Sequence, residues 1–148
     1  MSESDDLRLY ATFTRLVRVQ TQLWNGVDQR VRRRHGVALT HVTVLQVVAE
    51  TDGCRVQDIV SALHISVGGA SKAVDRLVAA GHVVRTVDPQ DRRSSLLEVT
   101  AAGRRLLGDV VPDLGAELGR RLGARLPAAD LAELDRILRA LQSEEVGA

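Results

Sequence analysis

Hydrophobic and polar positions near the start of the 148-residue chain alternate with a helical period. The apolar positions of residues 6–34 recur every three or four residues, at Leu9, Phe13, Leu16, Leu23, Val27 and Val31. This spacing predicts one long amphipathic helix, which ends in a run of cations before Gly36. A second helix is predicted from near Thr40, as its N-cap, to about Glu50.

Two shorter helices are predicted in the middle of the chain. Residues 55–63 form the first, and Ser66 is a suitable N-cap for the second, which ends near Gly81. The expected inward positions of the second are Ala70, Val74, Leu77 and Val78. His64-Ile65 is too short a connection for antiparallel packing, so the two helices predict a helix-turn-helix.

Two β-prone runs follow within HVVRTVDPQDRRSSLLEVT, residues 82–100, and predict a hairpin with a polar tip. Thr100 then reads as the N-cap of a long helix over residues 101–125, in which we expect Pro112 to cause a kink or a break. Pro127 opens a last helix, whose leucines recur at spacings of three and four. The predicted fold class is therefore mainly α with a small β-hairpin wing.

The composition and the spacing of particular residues argue against several kinds of functional site and protein class. Cys54 is the single cysteine, so neither an internal disulfide nor a multi-cysteine metal site can form. The four histidines show no metal-ligand spacing, and no nucleophile elbow or carboxylate pair frames the polar residues. No run approaches about 18 apolar residues, and no signal peptide opens the chain. We therefore expect a cytoplasmic protein without catalytic residues, metal or cofactor.

Positive charge concentrates in the centre of the chain. Residues 1–54 hold seven arginines against six acids, residues 55–105 hold eight basic residues against five acids, and residues 106–148 hold five against eight. The net charge of +1 conceals this distribution. A basic centre indicates a polyanionic partner.

A helix-turn-helix followed by a hairpin is a winged helix, and this order connects the charge to DNA. The second short helix is of a size to enter the major groove, where the base edges are distinguishable. The hairpin then lies over the adjacent minor groove, whose focused negative potential suits Arg92 or Arg93 at the tip. Asp91 can hold one guanidinium through a charge-assisted hydrogen bond.

The order and spacing of several motifs resemble the MarR family of bacterial transcriptional regulators. They are LHIS at residues 63–66, VDRL at 74–77, AG at 80–81, DPQDRR at 88–93 and LEVTAAG at 97–103. The D-x-R of the wing and the T-x-x-G that opens the next helix are the most specific parts. The resemblance covers essentially all of residues 1–148, as one MarR-type domain.

The resemblance implies a homodimer whose winged-helix cores, about 40–100, project from helices at about 6–34 and 101–145. Recognition helices then meet successive major grooves about 34–36 Å apart. Arg93 becomes the minor-groove arginine, Asp91 its positioning partner and Arg92 a phosphate contact. The exposed recognition-helix positions are Ser66, Gly68, Ser71, Lys72 and Arg76. Gly68 and Gly69 depart from the polar residues that the family often has there.

A repressor that responds to a small aromatic or phenolic anion is the function that the resemblance implies. The effector would enter the crevice between dimer helices and winged-helix lobe and favour a lobe spacing that no longer matches the DNA. Candidate liners are Trp24, His35 and His41, with Arg15 and Arg18 as anion partners.

Two other classes of function stay open. A winged-helix module for protein–protein contact, with little sequence-specific DNA binding, is consistent with Gly68 and Gly69, which offer no side chain to read bases. An enzyme that binds a small molecule would need a catalytic constellation that the sequence does not contain. Selective binding to the DNA upstream of the gene separates the regulator from both.

Overall fold

A computed structural model describes residues 3–143, and its fold is mainly helical with one antiparallel hairpin, as predicted. The elements are, in chain order, α1 (Glu3–His35), α2 (Leu39–Glu50), α3 (Val56–Leu63), α4 (Val67–Ala79), β1 (Val83–Asp88), β2 (Asp91–Val99), α5 (Ala101–Leu118), a π-helical turn (Gly119–Gly123) and α6 (Ala128–Ser143). None of the helices in the described range is both long and apolar enough to span a bilayer. The predicted end of the last helix, about residue 145, falls outside the described residues.

The chain divides into a central unit, residues 24–113, and a terminal unit, residues 3–23 with 114–143 of the described chain. The central unit holds an aliphatic core to which the helix-turn-helix, the hairpin and α2 all contribute. Its buried members are Val44, Leu45, Val48, Cys54, Ile59, Ala70, Ala73, Val74, Leu77, Val83, Leu97 and Val99. Each large aliphatic side chain in such a core contributes about 1.5–3 kcal/mol to stability.

The junction between α1 and α2 confirms one predicted cap and corrects another. Gly36 follows α1 with a φ of +71°, the left-handed C′ conformation that its position predicted. Thr40, however, does not cap α2, which already begins at Leu39. The Asp28 carboxylate of α1 instead accepts a hydrogen bond of 2.8 Å from the Leu39 N–H. A side chain eleven positions upstream thus satisfies the N–H of the first residue of α2, one position before Thr40.

The helix-turn-helix is present where the sequence predicted it. His64 ends α3 in the left-handed region, with a φ of +52°, and Ser66 caps α4 by accepting a 3.0 Å hydrogen bond from the Gly69 N–H. Three of the four expected inward residues of α4 are buried, but Val78 is 37% exposed. Val78 lies four positions after the buried Val74, at the edge of the apolar face, so the 3.6-residue period turns it outward.

The hairpin is joined both to the helix-turn-helix and to α5. Val83 pairs with Val99 at its base, and the register shifts by a bulge at Asp88, next to the tip. The Cys54 carbonyl accepts a 2.8 Å hydrogen bond from the Leu97 N–H, which ties β2 to the segment that precedes α3. These bonds fix the base of the wing against the core and leave its tip projecting.

Thr100 caps α5 as predicted, since its hydroxyl accepts a 3.1 Å hydrogen bond from the Gly103 N–H. Of the kink or break expected at Pro112, the break is wrong, because α5 continues through it to Leu118. A proline removes one backbone donor, and the surrounding turns hold the helix. The regular α-helix stops short of the predicted residue 125, since a π-helical turn begins at Gly119.

Apolar side chains of the terminal unit are exposed in the single chain. On α1 they are Leu7, Leu9, Tyr10, Phe13, Leu16, Val17 and Val19; on α6 they are Ile137, Leu138 and Leu141. The predicted stripe of the first helix is therefore buried only towards its C-terminal end, where Val27 and Val31 lie in the central unit. An apolar face of this length typically marks an interaction surface.

Candidate nucleic-acid interface

The exposed face of α4 carries the predicted recognition residues. Ala70, Ala73, Val74 and Leu77 anchor the opposite face in the core. Ser66, Gly68, Lys72 and Arg76 are exposed, and Ser71 is half-buried beside them. The structure thus brings all five predicted positions to one side of one short helix.

The wing tip is shaped by two carboxylates that cap backbone donors. Asp88 Oδ1 accepts a 2.9 Å hydrogen bond from the Gln90 N–H, and Asp91 Oδ1 accepts one of 3.1 Å from the Arg93 N–H. Asp91 therefore holds the backbone of Arg93, whereas the sequence led us to expect it to hold a guanidinium. Arg92 and Arg93 are exposed, and neither side chain forms an ion pair with any residue in the range 3–143.

A clamp near the tip of the wing was not predicted from the sequence. The Arg55 guanidinium, at the start of α3, donates to the Asp88 carboxylate and to the Ser94 hydroxyl on the two strands of the hairpin. Asp88 is only 8% exposed. Hydrogen bonding from Arg55, followed by that from the Gln90 N–H, lowers the pKa of Asp88, so the carboxylate stays ionised at neutral pH.

A second ion pair joins the recognition helix directly to the wing. Asp75 on α4 pairs with Arg85 on β1. Both side chains are partly exposed, so the pair orients more than it stabilises. The sequence signal for this pair was weak, since the two residues are ten positions apart and belong to different elements.

Removing the buried charge of the clamp should loosen the wing. In Asp88→Asn, we expect the backbone amides of residues 83–99 to exchange hydrogen for deuterium faster, because Arg55 loses its ionic partner. Glu98→Gln is the matched control, since Glu98 is exposed on β2 and has no partner in the described chain. Equal rates of amide exchange in the two variants would contradict the role of the clamp in holding the wing.

The predicted effector residues are divided between the two units of the chain. Arg15 and Arg18 line a shallow cavity of about 370 Å³ on α1 in the terminal unit. His35 lies 3.2 Å from an Asp113 carboxylate oxygen, and Trp24 is 38% exposed. His41 alone of these three lines a cavity of about 440 Å³, whose wall contains neither His35 nor Trp24.

His41 is paired with a histidine that the sequence did not single out. Its Nε2 lies 2.8 Å from Nδ1 of His82, with the rings edge-to-face at an interplanar angle of 83°. Burial, and then the proximity of His82, lowers the pKa of His41. A short bond between two imidazoles requires one neutral acceptor, so this pair is a structural link at neutral pH.

Cys54 is fully buried, and its surroundings disfavour the thiolate. Burial, followed by the charge of Asp58, raises the pKa of this thiol to about 11. A thiol of this kind reacts slowly with oxidants. Among the described residues, no three histidine, cysteine, aspartate or glutamate side chains lie close enough together to hold a metal ion.

Comparison with known proteins shows which family this geometry is similar to. A sequence model of the MarR family matches residues 35–94, from the end of α1 to the second strand of the wing. The HTH-type transcriptional regulator MhqR of Bacillus subtilis (strain 168) is 29% identical over 85 residues. That match covers 57% of this chain and 59% of MhqR, so the chain spans about three fifths of this relative.

Solved structures extend the likeness to the whole fold. CouR from Rhodococcus jostii RHA1, bound to p-coumaroyl-CoA, has a TM-score of 0.74 and 26% identity, over 95% of this chain and 94% of CouR. Sco3205, a MarR family transcriptional regulator from Streptomyces coelicolor in complex with DNA, has a TM-score of 0.82 over 97% of this chain and 89% of Sco3205. Its identity of 20% makes that a likeness of fold. With the family match across the winged helix and the shared fold along the rest, this chain is similar to the MarR family.

Proposed function

We propose that this protein is a DNA-binding transcriptional regulator, a repressor that acts in the cytoplasm as a homodimer on a pseudo-palindromic operator. One observation carries the proposal: a polar and cationic helix face stands beside a wing whose two tip arginines have no ionic partner in residues 3–143. Unpaired guanidinium groups on a projecting hairpin are suited to a polyanion. Sco3205, which has the same fold, was solved in complex with DNA.

Each interface residue has a role in this proposal. On α4, Lys72 and Arg76 bind phosphate or base edges, and Ser66, Ser71 and Gly68 lie against the major groove. At the wing, Arg93 enters the minor groove and Arg92 contacts phosphate, while Asp91 fixes the backbone on which Arg93 stands. The protein has no catalytic role in this scheme.

The exposed apolar face of the terminal unit supports the homodimer. Ten large apolar side chains of α1 and α6 are solvent-exposed in one chain, Leu7 and Tyr10 by more than 65%. A second copy of the same face would cover them, which is how most soluble proteins form two-fold dimers. Two copies then present two recognition helices to successive major grooves.

The regulator responds, in this proposal, to a small aromatic or phenolic anion. CouR, 26% identical, was solved with an aromatic acyl-CoA bound. An effector releases the DNA only if it binds the DNA-free arrangement of the lobes more tightly than the DNA-bound one. Arg15 and Arg18 on α1, and Trp24, His35 and His41, remain the proposed candidates for its binding.

Gly68 has no side chain to read bases, which also favours the protein–protein module. A substitution at Gly68 distinguishes that module from the DNA-binding regulator. A Cβ at Gly68 meets no atom within 4 Å, so Gly68→Ala should raise the free energy of unfolding by about 0.5–1 kcal/mol. If the backbone there approaches DNA, the added methyl group should nevertheless weaken operator binding.

Gly108→Ala is the control for this substitution, because Gly108 on α5 also has open space around it and lies far along the chain from α4. We expect it to stabilise the protein without changing the affinity for DNA. Unchanged DNA affinity in both variants, measured by fluorescence anisotropy, would favour the protein–protein module.

The proposal as a whole is tested by anisotropy titration of the DNA upstream of the gene against a scrambled duplex of equal length. We expect tighter binding to the upstream DNA and a steep loss of affinity with salt, because bound cations displace counterions from phosphates. Equal affinity for the two duplexes would contradict the proposal.

A further inference from the structure

A cavity of about 440 Å³ opens between the recognition helix and the junction of α1 with α2, entirely within the central unit. Its walls come from the α1–α2 junction, within residues 32–41, and from α4, which follows much later in the chain. They are formed by Arg32, Gly36, Val37, Ala38, Thr40, His41, Ala73 and Arg76. Two arginines and no acidic residue stand in this wall, so the cavity is cationic.

Arg32 is held in place by a relay of hydrogen bonds. Its Nε donates to Asp28 Oδ2 at 2.7 Å, and the other oxygen of Asp28 accepts from the Leu39 N–H at 2.8 Å. The carboxylate is thus fixed between α1 and the first residue of α2. This contact leaves the two Nη groups of Arg32 available, and the side chain is 59% exposed.

Arg76 and Thr40 complete the polar part of the wall. Arg76 lies on the exposed face of α4 and forms no ion pair within the described chain. Thr40 is exposed at the start of α2. Two guanidinium groups and a hydroxyl in one cavity wall are the donor set that binds phosphate oxygens.

We propose that this cavity binds a backbone phosphate of the DNA duplex whose major groove receives α4, an inference that rests on the proposed function. Arg76 belongs both to the recognition face and to the cavity, so a duplex seated on α4 brings a groove-edge phosphate to Arg32. The wall is open to solvent and nearly half of its surface is polar, which differs from the mostly apolar enclosure that buries a small organic ligand. Arg32 and Thr40 thereby join the DNA-contacting residues.

Arg32→Ala and its neighbour Arg33→Ala are compared by anisotropy on the upstream duplex over a series of salt concentrations. Arg33 is exposed in the same helical turn, outside the cavity wall and without a partner in residues 3–143. For Arg32→Ala we expect the slope of log affinity against log salt to fall in magnitude by about 0.9, the contribution of one phosphate. The weakening should be equal on scrambled DNA, because phosphates carry no sequence.

Arg32→Lys keeps the charge next to Asp28 and should retain most of the slope, which separates loss of a phosphate contact from misfolding of the α1–α2 junction. Equal slopes in Arg32→Ala and Arg33→Ala would overturn the proposal. The wild-type titration is read first: if it shows no preference for upstream DNA, the proposed function fails, whereas a selective wild type with an unaltered Arg32→Ala slope rejects only the phosphate site.

A free anion is the competing source of the same chemistry. Inorganic phosphate is titrated into DNA-free protein while the amide resonances of Arg32, Thr40 and Arg76 are followed by NMR. Saturable shifts that Arg32→Ala abolishes, together with an unchanged DNA salt slope, would assign the cavity to a free ligand and overturn the duplex assignment. Shifts that are weak or absent, with the reduced slope, support it.

Discussion

Arg93→Ala is expected to weaken binding to the upstream duplex by about 10- to 100-fold, with an unchanged melting temperature. A charge-assisted hydrogen bond contributes about 1.5–3 kcal/mol, and each 1.4 kcal/mol corresponds to tenfold in affinity. Arg93 makes no ion pair within residues 3–143, so its removal leaves no buried charge behind in the free protein. The loss should be greatest on operators with narrow, A·T-rich minor grooves, where the negative potential is strongest.

Arg92→Ala is the matched comparison, one position away on the same strand and equally exposed. Because Arg92 contacts phosphate in this proposal, Arg92→Ala should weaken binding to the upstream and the scrambled duplex equally. It should also lower the magnitude of the slope of log affinity against log salt by about 0.9. The anisotropy titrations therefore distinguish the two arginines by selectivity as well as by affinity. Full affinity in Arg93→Ala, or the larger loss in Arg92→Ala, would show that the roles at the wing tip are misassigned.

Gly103→Ala should produce the largest loss of stability of any single methyl group added to the central unit. A Cβ at this buried position would overlap the carbonyl oxygen of His82 and lie 2.8 Å from Cγ1 of Val99. The same carbonyl accepts a 3.0 Å hydrogen bond from the Thr100 N–H, so it cannot move without disturbing the joint between wing and α5. Overpacking of this kind costs about 3 kcal/mol, which corresponds to a fall of roughly 10 °C in melting temperature.

The control is Gly108→Ala, five residues further along α5, where a Cβ meets nothing within 4 Å. Alanine replaces glycine there in open space, so the melting temperature should rise by a few degrees. Calorimetry of the two variants checks both the expected fall and the expected rise in melting temperature. If Gly103→Ala melted at or above the temperature of Gly108→Ala, the close approach of α5 to His82 would be wrong.

Elements governed by local sequence could be predicted from it. The Ser66 and Thr100 hydroxyls cap the helices that follow them because an N-cap and its partner are only three residues apart. Gly36 marks the end of α1 for the same local reason. Thr40 was misjudged because α2 already begins at Leu39, whose N–H donates to Asp28, a contact that depends on how two helices pack.

The same distinction, between contacts within a local stretch and contacts between distant residues, applies to the candidate site. The exposed face of α4 followed from helical period, since residues that alternate with Val74 and Leu77 must point outward. The partners of Arg55 and of Asp75 could not be predicted, because 33 and 10 positions separate them from Asp88 and Arg85. The excess of positive charge in the centre of the chain could be counted from the sequence. Which charged residues form ion pairs is decided by tertiary structure.

The contacts of His35 and His41 could not be predicted from their positions in the sequence. His35 and His41 were grouped because each borders the α1–α2 junction, yet one faces Asp113 and the other faces His82. Side-chain direction changes by about 100° per helical residue, so nearness in sequence does not place two side chains in one cavity. Arg32 lines the same cavity as His41, whereas His35 does not belong to its wall.

The central claim is that two copies of the chain hold one duplex, each with α4 in a major groove and a wing arginine in the adjacent minor groove. Hydroxyl-radical footprinting of the upstream DNA tests this geometry directly. The account predicts two protected segments related by a two-fold axis and about 34–36 Å apart, flanked by minor-groove protection that Arg93→Ala removes. A single asymmetric footprint, or protection no greater than on scrambled DNA, would contradict it.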